Sequence, residues 1–345
     1  MKRMLFAVCE VAGYFAASVR ALSEHAEVTV WTKLKGNDVE AALEGHVRLL
    51  DDTAVPTVDA LLTALGGHLP DVFFCGGWAD RRCLDLATRL HAAGVRTVLM
   101  LDTPWLGTPK QWLNRLVGRV VLRPRFDFAW GAGEPQVGYM RRVGFPENRL
   151  RTGVYAADSA KFSALYAPDR DPWPHVFLYI GRYVSVKNMR RMERAFLRAL
   201  DRMPESDWRL CCIGGGELWE ERTQHPRIDH LGYKTPQEIQ RFIPQTGCFV
   251  LPSVFEPWGV VVQEAAQMGL PLLCSDAVQA ATDFLRPGEN GFRFDPRNEA
   301  AITEAFCAAM LLPDEALRAM GRRSHALGMA YATADWVQRA LSFLD

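Results

Sequence analysis

The chain has 345 residues, enough for two domains at roughly 100 to 200 residues each. Its 49% apolar and 23% charged composition supplies two ordinary hydrophobic cores and excludes a small scaffold that depends on disulfide staples. Forty Lys+Arg balance forty Asp+Glu. Attraction of the whole chain to nucleic acid or anionic lipid is therefore not expected, and any such contact has to come from a local patch.

The opening residues Met1-Lys2-Arg3 followed by Met4–Val8 imitate a signal peptide, but Glu10 interrupts the apolar run. A buried strand over Met4–Cys9, a turn over Glu10–Gly13 and a helix over Tyr14–Ser23 accommodate every residue. Strands are then expected at Glu27–Trp31, Val72–Cys75, Thr97–Leu101 and Phe128–Trp130, with a helix at Ala79–Ala93. This alternation is the pattern of βαβ units and a parallel sheet. After a Pro-rich stretch at Ala167–Pro174 it begins again: strand Val176–Ile180, helix Met189–Arg202, strand Trp208–Ile213, helix Pro236–Ile243, strand Cys248–Leu251, helix Val260–Met268 and strand Pro271–Cys274. Asn290-Gly291 reads as a tight hairpin turn between Phe284–Arg286 and Phe292–Phe294. A last helix is expected over Ala330–Leu344, with Trp336 and Leu341. The fold class is thus α/β, two doubly wound domains. No apolar stretch approaches the roughly 20 residues that span a bilayer, and eight sparse cysteines, two of them adjacent at Cys211-Cys212, suit a reducing, cytoplasmic setting.

Ligands of such sheets bind at the carboxyl ends of strands, beside helix N-termini. After Val176–Ile180 come Gly181-Arg182 and, five residues past the arginine, Lys187 at a helix start; two cations there can clamp a diphosphate. They can equally be a solvated pair. Strand Cys248–Leu251 runs into Pro252-Ser253-Val254-Phe255-Glu256-Pro257-Trp258-Gly259, and the following helix carries Glu264. Carboxylates accept paired hydroxyl hydrogen bonds, and free amides at a helix start suit phosphate. Together those groups describe a nucleotide-sugar site. The alternative is a capping Glu256 and a surface Glu264, which leaves an acid in the otherwise apolar Gly259–Met268 unexplained.

These motifs, with Ile213-Gly214-Gly215-Gly216-Glu217, Leu231-Gly232-Tyr233, Gly269-Leu270-Pro271 and Glu289-Asn290-Gly291, resemble the retaining glycosyltransferases of the GT-B fold, family 4, over about residues 175–295. The resemblance implies two Rossmann-like domains facing each other across a cleft: residues 1–165 for the acceptor, 166–325 for the donor, and 326–345 as a helix returning to the first domain. It implies no metal. Carried over by position, Arg182 and Lys187 bind the donor diphosphate and Glu256 the sugar hydroxyls. The amides of Trp258, Gly259 and Val260 touch sugar and phosphate, and Glu264 takes the ribose. Gly181 lets the chain turn close to the diphosphate, and Gly215, Gly216 and Tyr233 lie in segments that hold the base. Gly13 occupies the N-terminal glycine loop, whose backbone approaches the donor phosphate and where many relatives have two glycines. Relatives commonly place a histidine after the strand equivalent to Thr97–Leu101; here Asp102 is the nearest polar substitute, or else it initiates the turn before Pro104.

The implied reaction moves a sugar from a UDP- or GDP-sugar to a hydroxyl acceptor, a glycan or glycolipid intermediate of cell-surface polysaccharide, by front-face displacement with retention. A nucleotide-sugar 2-epimerase of the same fold and a non-catalytic sugar or nucleotide binder are the alternatives. Several motifs are decoys. Asp169-Arg170-Asp171 spells an acidic metal-binding triplet but sits in a Pro-rich connector, and His225 and His230 lack a zinc spacing beside Cys211 and Cys212. No GxGxxG or Walker motif occurs. Between Thr103 and Phe126, five cations and several large apolar residues occur with no acid. Either a helix buries its apolar stripe and solvates its basic face, or residues 103–126 form an interfacial element for an anionic membrane and a lipid-linked acceptor.

Overall fold

The computed structural model describes residues 1–33 and 43–345. The chain divides into two compact units, Met1–Asp158 together with Tyr331–Asp345, and Ser159–Ala330.

Among the described residues the first unit holds seven strands: β1 (Arg3–Ala7), β2 (Glu27–Thr32), β3 (Arg48–Asp51), β4 (Val72–Cys75), β5 (Arg96–Leu101), β6 (Phe128–Gly131) and β7 (Leu150–Arg151). They form one parallel sheet in the order β3-β2-β1-β4-β5-β6-β7. The order reverses between β1 and β4, the crevice where doubly wound sheets bind ligands. Covered on both faces, the central strands are near-continuous apolar runs, and Val72–Cys75 is buried throughout. Phe6 stacks on Phe74 at 4.3 Å between centroids. The Thr333–Leu341 helix completes this core: Trp336 is fully buried, packs on Phe6, Phe15 and Trp130, and donates from Nε1 to the Val154 carbonyl at 2.8 Å.

In the second unit six strands, β8 (Val176–Ile180), β9 (Arg209–Ile213), β10 (Ile228–His230), β11 (Cys248–Leu251), β12 (Leu272–Ser275) and β13 (Gly291–Phe294), order as β10-β9-β8-β11-β12-β13, all parallel. The reversal falls between β8 and β11. The Met189–Arg202 helix packs against the Glu299–Met310 helix, with Phe177, Phe196 and Phe306 in mutual edge-to-face contact.

Two expectations, and one of two alternatives left open, need correction. Asn290-Gly291 does not turn a hairpin: Phe284 ends a short helix, Ala281–Phe284, and β13 pairs in parallel with β12. Asn290 is fully buried instead, donating to the Phe284 carbonyl at 2.9 Å and to Ser324 Oγ at 3.0 Å, and accepting from the Arg286 N–H at 2.7 Å. The helix expected over Pro236–Ile243 stops at Ile239, ahead of Pro244, which has no N–H to continue it. And the helix within residues 103–126, Pro109–Val121, does not bury its apolar stripe.

Candidate functional site

In the second unit the segments after β8 and β11 meet at the point where strand order reverses. The Val254 N–H donates to the Val186 carbonyl at 2.8 Å, and Asn188 donates to the carbonyls of Pro252 at 3.1 Å and Pro296 at 2.8 Å. Asn188 adopts φ 60°, a left-handed conformation that asparagine tolerates better than most residues. That kink ends the short turn Ser185–Lys187 and starts the Met189–Arg202 helix, which fixes where Lys187 stands.

Lys187 Nζ donates to Glu256 Oε2, and the same oxygen accepts the Ser253 hydroxyl at 3.0 Å. The two charged side chains are only 15% and 14% exposed, so their attraction acts in a partly desolvated setting where it is weakly screened. Ser253 is held in turn, its carbonyl accepting the buried Ser275 hydroxyl at 2.5 Å. Backbone pairing also grips Glu256, whose N–H donates to Ala277 at 3.2 Å. Gly259 has φ 96°, and an added Cβ would lie 3.0 Å from Glu256 Cγ, so a side chain there would press on this carboxylate arm. From Gly259 the Val260–Gln267 helix begins, its first N–H groups having no acceptor within the helix.

The other expected residues fall around this centre. Arg182 is exposed just past β8. Its guanidinium and the Glu256 carboxylate both act on the Tyr179 phenol, which burial foremost pushes far above its ordinary range; Glu256 adds to that rise and Arg182 opposes it. Gly181 donates its N–H to Ile213 at 3.0 Å, joining the end of β8 to the end of β9. Gly215 accepts the Tyr183 N–H at 2.8 Å, and Gly216 passes within 2.6 Å, measured from an added Cβ, of the Tyr183 carbonyl. Tyr233 is 77% exposed past the end of β10. Trp258 is buried, edge-on to Phe284, so its backbone rather than its ring is offered at the helix start. Glu264 is half-buried five residues into the same helix. The structure thus brings Lys187 and Glu256 into contact. Ser253, Asn188 and Tyr179 belong to the same assembly and went unnoticed in the sequence; a hydroxyl three residues before the glutamate was the available signal.

Asp102 and Gly13 belong to the first unit, at its own point of strand reversal. A pocket of about 600 Å³ is lined by Glu10 and Tyr14 after β1, Trp78 after β4, Asp102 after β5, and Gln111 and Tyr155. Asp102 Oδ2 accepts from the Tyr155 hydroxyl at 3.4 Å, and Gln136 Nε2 donates to the Asp102 carbonyl at 3.0 Å. Burial, with Tyr14 and Asp102 adding to it, keeps the Tyr155 phenol protonated far above its usual range, so it is a donor toward Asp102. Gly13 opens the Gly13–Ser23 helix, with nothing within 4 Å of an added Cβ.

The decoys have structural employment. Asp171 pairs with Arg318 at 2.6 Å, and Arg170 stacks on Trp173 and donates to the Thr246 carbonyl at 2.6 Å. His230 bridges Tyr183 at 2.9 Å and the Thr223 carbonyl at 2.9 Å. Among the described residues no helix is long and apolar enough to cross a membrane.

Known proteins carry the same organisation. Residues 174–311 match the family described as glycosyl transferases group 1. The chain is 30% identical over 152 residues to lipopolysaccharide 1,6-galactosyltransferase of Salmonella typhimurium, covering 41% of each, and 24% identical over 255 residues to that of Escherichia coli, covering 71% of this chain and 67% of the relative. The alignment with the Salmonella relative therefore spans less than half of that relative's length. In structure, an Anabaena protein, HepE, solved with UDP and glucose, superimposes at a TM-score of 0.72, with 14% identity and 99% coverage of both chains. A lipopolysaccharide outer core galactosyltransferase superimposes at 0.68, with 16% identity and 99% coverage of both. Residues 174–311 thus match the glycosyl transferases group 1 family, within a chain that has the GT-B glycosyltransferase fold.

Proposed function

We propose that this protein is a retaining, metal-independent glycosyltransferase that moves a sugar from a nucleotide-diphosphate sugar to a hydroxyl of a glycan or glycolipid intermediate of cell-surface polysaccharide. The observation that carries the reading is the Lys187–Glu256 pair, seated on Ser253 at the strand reversal of the segment that matches the family. A UDP-sugar is preferred over a GDP-sugar, because HepE is solved with UDP and with UDP-glucose. Eight free cysteines fit a reducing, cytoplasmic compartment.

In this reading Glu256 accepts donor sugar hydroxyls on the oxygen edge not taken by Lys187 and Ser253. The Lys187 ammonium has three N–H donors, of which Glu256 takes one; the others, with Arg182 and the start of the Val260–Gln267 helix, meet the diphosphate. As the anomeric C–O bond breaks, charge grows on the leaving phosphate oxygen, and fixed cations stabilise it. That oxygen takes the acceptor proton on the same face of the sugar, so orientation and charge do the work and no protein nucleophile is needed. Asp102, oriented by Tyr155, receives an acceptor hydroxyl in the first unit's pocket.

The test is a thermal-shift panel of UDP, GDP, ADP and their sugars, followed by product analysis with and without acceptor and with EDTA. A ligand at 100 times its Kd raises stability by about 2.7 kcal/mol. A UDP-selective shift, acceptor-dependent donor consumption and retained anomeric configuration in EDTA are expected. Donor consumption without acceptor would replace the proposal with an epimerase, and binding without turnover with a non-catalytic binder.

A further inference from the structure

A buried chain of polar side chains runs behind the turn that follows β9. Glu193, on the Met189–Arg202 helix, is fully buried, and its Oε2 accepts the Thr223 N–H at 3.0 Å. The Thr223 carbonyl is met by His230 Nε2 at 2.9 Å, and because a carbonyl only accepts, that nitrogen carries the ring proton. Nδ1 of the neutral ring then accepts the Tyr183 hydroxyl at 2.9 Å. Burial foremost keeps the Tyr183 phenol protonated far above its usual range, as a donor in that place requires. Glu193 Oε1, buried and without a hydrogen bond, faces the same imidazole 4.0 Å from Nε2. The side chains of His230 and Glu193 are 4% and 0% exposed, so breaking a link leaves a polar group dry.

One end of this chain holds the glycine turn. The Tyr183 N–H donates to the Gly215 carbonyl at 2.8 Å, and its own carbonyl accepts the Leu218 N–H at 3.0 Å. A Cβ on Gly216 would stand 2.6 Å from that carbonyl, so the turn lies directly on the Tyr183 backbone. Its ring packs on Trp219 at 5.2 Å, and Arg222 covers the indole at 4.2 Å. The other end, Glu193, rides on the helix that starts at Asn188, directly after Lys187. The chain therefore spans from the Lys187 helix to the turn. Because β9 neighbours β8, a ligand whose diphosphate sits at Lys187 and which extends over the end of β9 meets the open backbone of Gly215. We propose that His230 and Tyr183 are positioning residues for the nucleoside end of the donor, holding the Gly214–Leu218 turn at a fixed spacing from Lys187 without touching the ligand. This assignment rests on the proposed donor site.

Calorimetric titration of UDP and of inorganic pyrophosphate into the wild type, Tyr183→Phe, His230→Leu and His230→Gln tests it. Pyrophosphate reports the cation clamp alone, whereas UDP also needs the turn. Tyr183→Phe and His230→Leu should weaken UDP about tenfold or more while pyrophosphate stays within about twofold of wild type. His230→Gln, whose amide can both donate to Thr223 and accept from Tyr183, should recover most of the UDP affinity. Tyr183→Phe keeps the ring and carries the test if His230→Leu folds poorly by circular dichroism. UDP affinity within about twofold of wild type in Tyr183→Phe, or equal losses for UDP and pyrophosphate, would overturn the assignment while leaving the donor site standing. A wild type that binds neither ligand would remove the donor site itself, and this assignment with it.

Discussion

Lys187 and Glu256, 69 residues apart in sequence, share a proton-donor contact on the carboxylate oxygen that also accepts the Ser253 hydroxyl. If the pair serves the reaction as proposed, its members fail differently. Lys187→Ala should lower kcat about 10²- to 10³-fold, the scale of losing one preorganised charge at the developing oxyanion. Donor affinity should fall by less than about tenfold, since Arg182 and the helix start still hold the diphosphate. Single-turnover kinetics with donor titration separates the two, and an unchanged kcat would remove Lys187 from the leaving-group role.

Two neighbouring glycines offer a cleaner probe. An added Cβ at Gly214 would stand 1.9 Å from the Gly181 carbonyl, whereas at Gly215 nothing lies within 4 Å and the backbone conformation is ordinary. Gly215→Ala is therefore expected to leave the melting temperature within about 2 °C of wild type while weakening nucleotide binding. Gly214→Ala should destabilise the second unit outright. Calorimetric titration of UDP into Gly215→Ala is the measurement, and full affinity would show that no ligand approaches that backbone.

How far the sequence was legible depends on burial. Val176–Ile180, Met189–Arg202 and Cys248–Leu251 match observed elements residue for residue, because doubly covered parallel strands are continuous apolar runs and the helix has a strong 3.6-residue period. Three of the four edge strands escaped notice: β3 is Arg-Leu-Leu-Asp, β10 is Ile-Asp-His, and β7 is two residues long. Asn290-Gly291 misled because a turn dipeptide is indistinguishable locally from an asparagine buried for its side-chain hydrogen bonds. Periodicity revealed a stripe on the Pro109–Val121 helix but not which way it faces, since Gln111 and Gly118 decide that through partners remote in sequence or invisible to pattern. The segments ending in Arg182 and Glu256 could be placed at strand ends from sequence; the role of Asn188 in joining them could not.

Asp102 faces the first unit's pocket with the Tyr155 hydroxyl at 3.4 Å. Asp102→Asn should raise the acceptor KM and lower kcat while leaving donor Kd nearly unchanged, because the donor contacts proposed for Arg182, Lys187 and Glu256 lie in the second unit. Tyr155→Phe should reproduce part of the acceptor effect by freeing the carboxylate to rotate. Equal loss of donor binding in Asp102→Asn would instead show that the residue supports the fold.

Two of the carboxylates held below their ordinary range, Asp71 and Asp314, offer a test of acid sensitivity. The Asp71 carboxylate accepts the Arg3 N–H at 2.8 Å, the main cause, and Lys2 at 2.8 Å; the Asp314 carboxylate accepts the Trp173 N–H at 2.9 Å, again the main cause, and contacts His175. Folding lowers both pKa values, so their stabilisation is complete above the unfolded carboxylate range near about 4 and drains away as pH falls through the folded values. Melting temperatures between about pH 6 and pH 3 should drop, and Asp71→Asn with Asp314→Asn should flatten that slope. A slope identical to wild type would assign acid lability to other groups.

Trp336 lets the C-terminal segment be tested as part of the first unit. It is fully buried among Phe6, Phe15 and Trp130, and its indole N–H satisfies the Val154 carbonyl at 2.8 Å. Trp336→Ala removes the ring and orphans that carbonyl, a loss of about 3–5 kcal/mol from the cavity, with the unmet hydrogen bond adding to it. Trp336→Phe keeps most of the packing and should cost clearly less. Because the damage is confined to the first unit, amide exchange should accelerate in β1, β4 and β6 while β8 and β11 stay protected. Uniform acceleration through both units would show that they unfold as one, and no acceleration would mean that the Thr333–Leu341 helix contributes little to the core it enters.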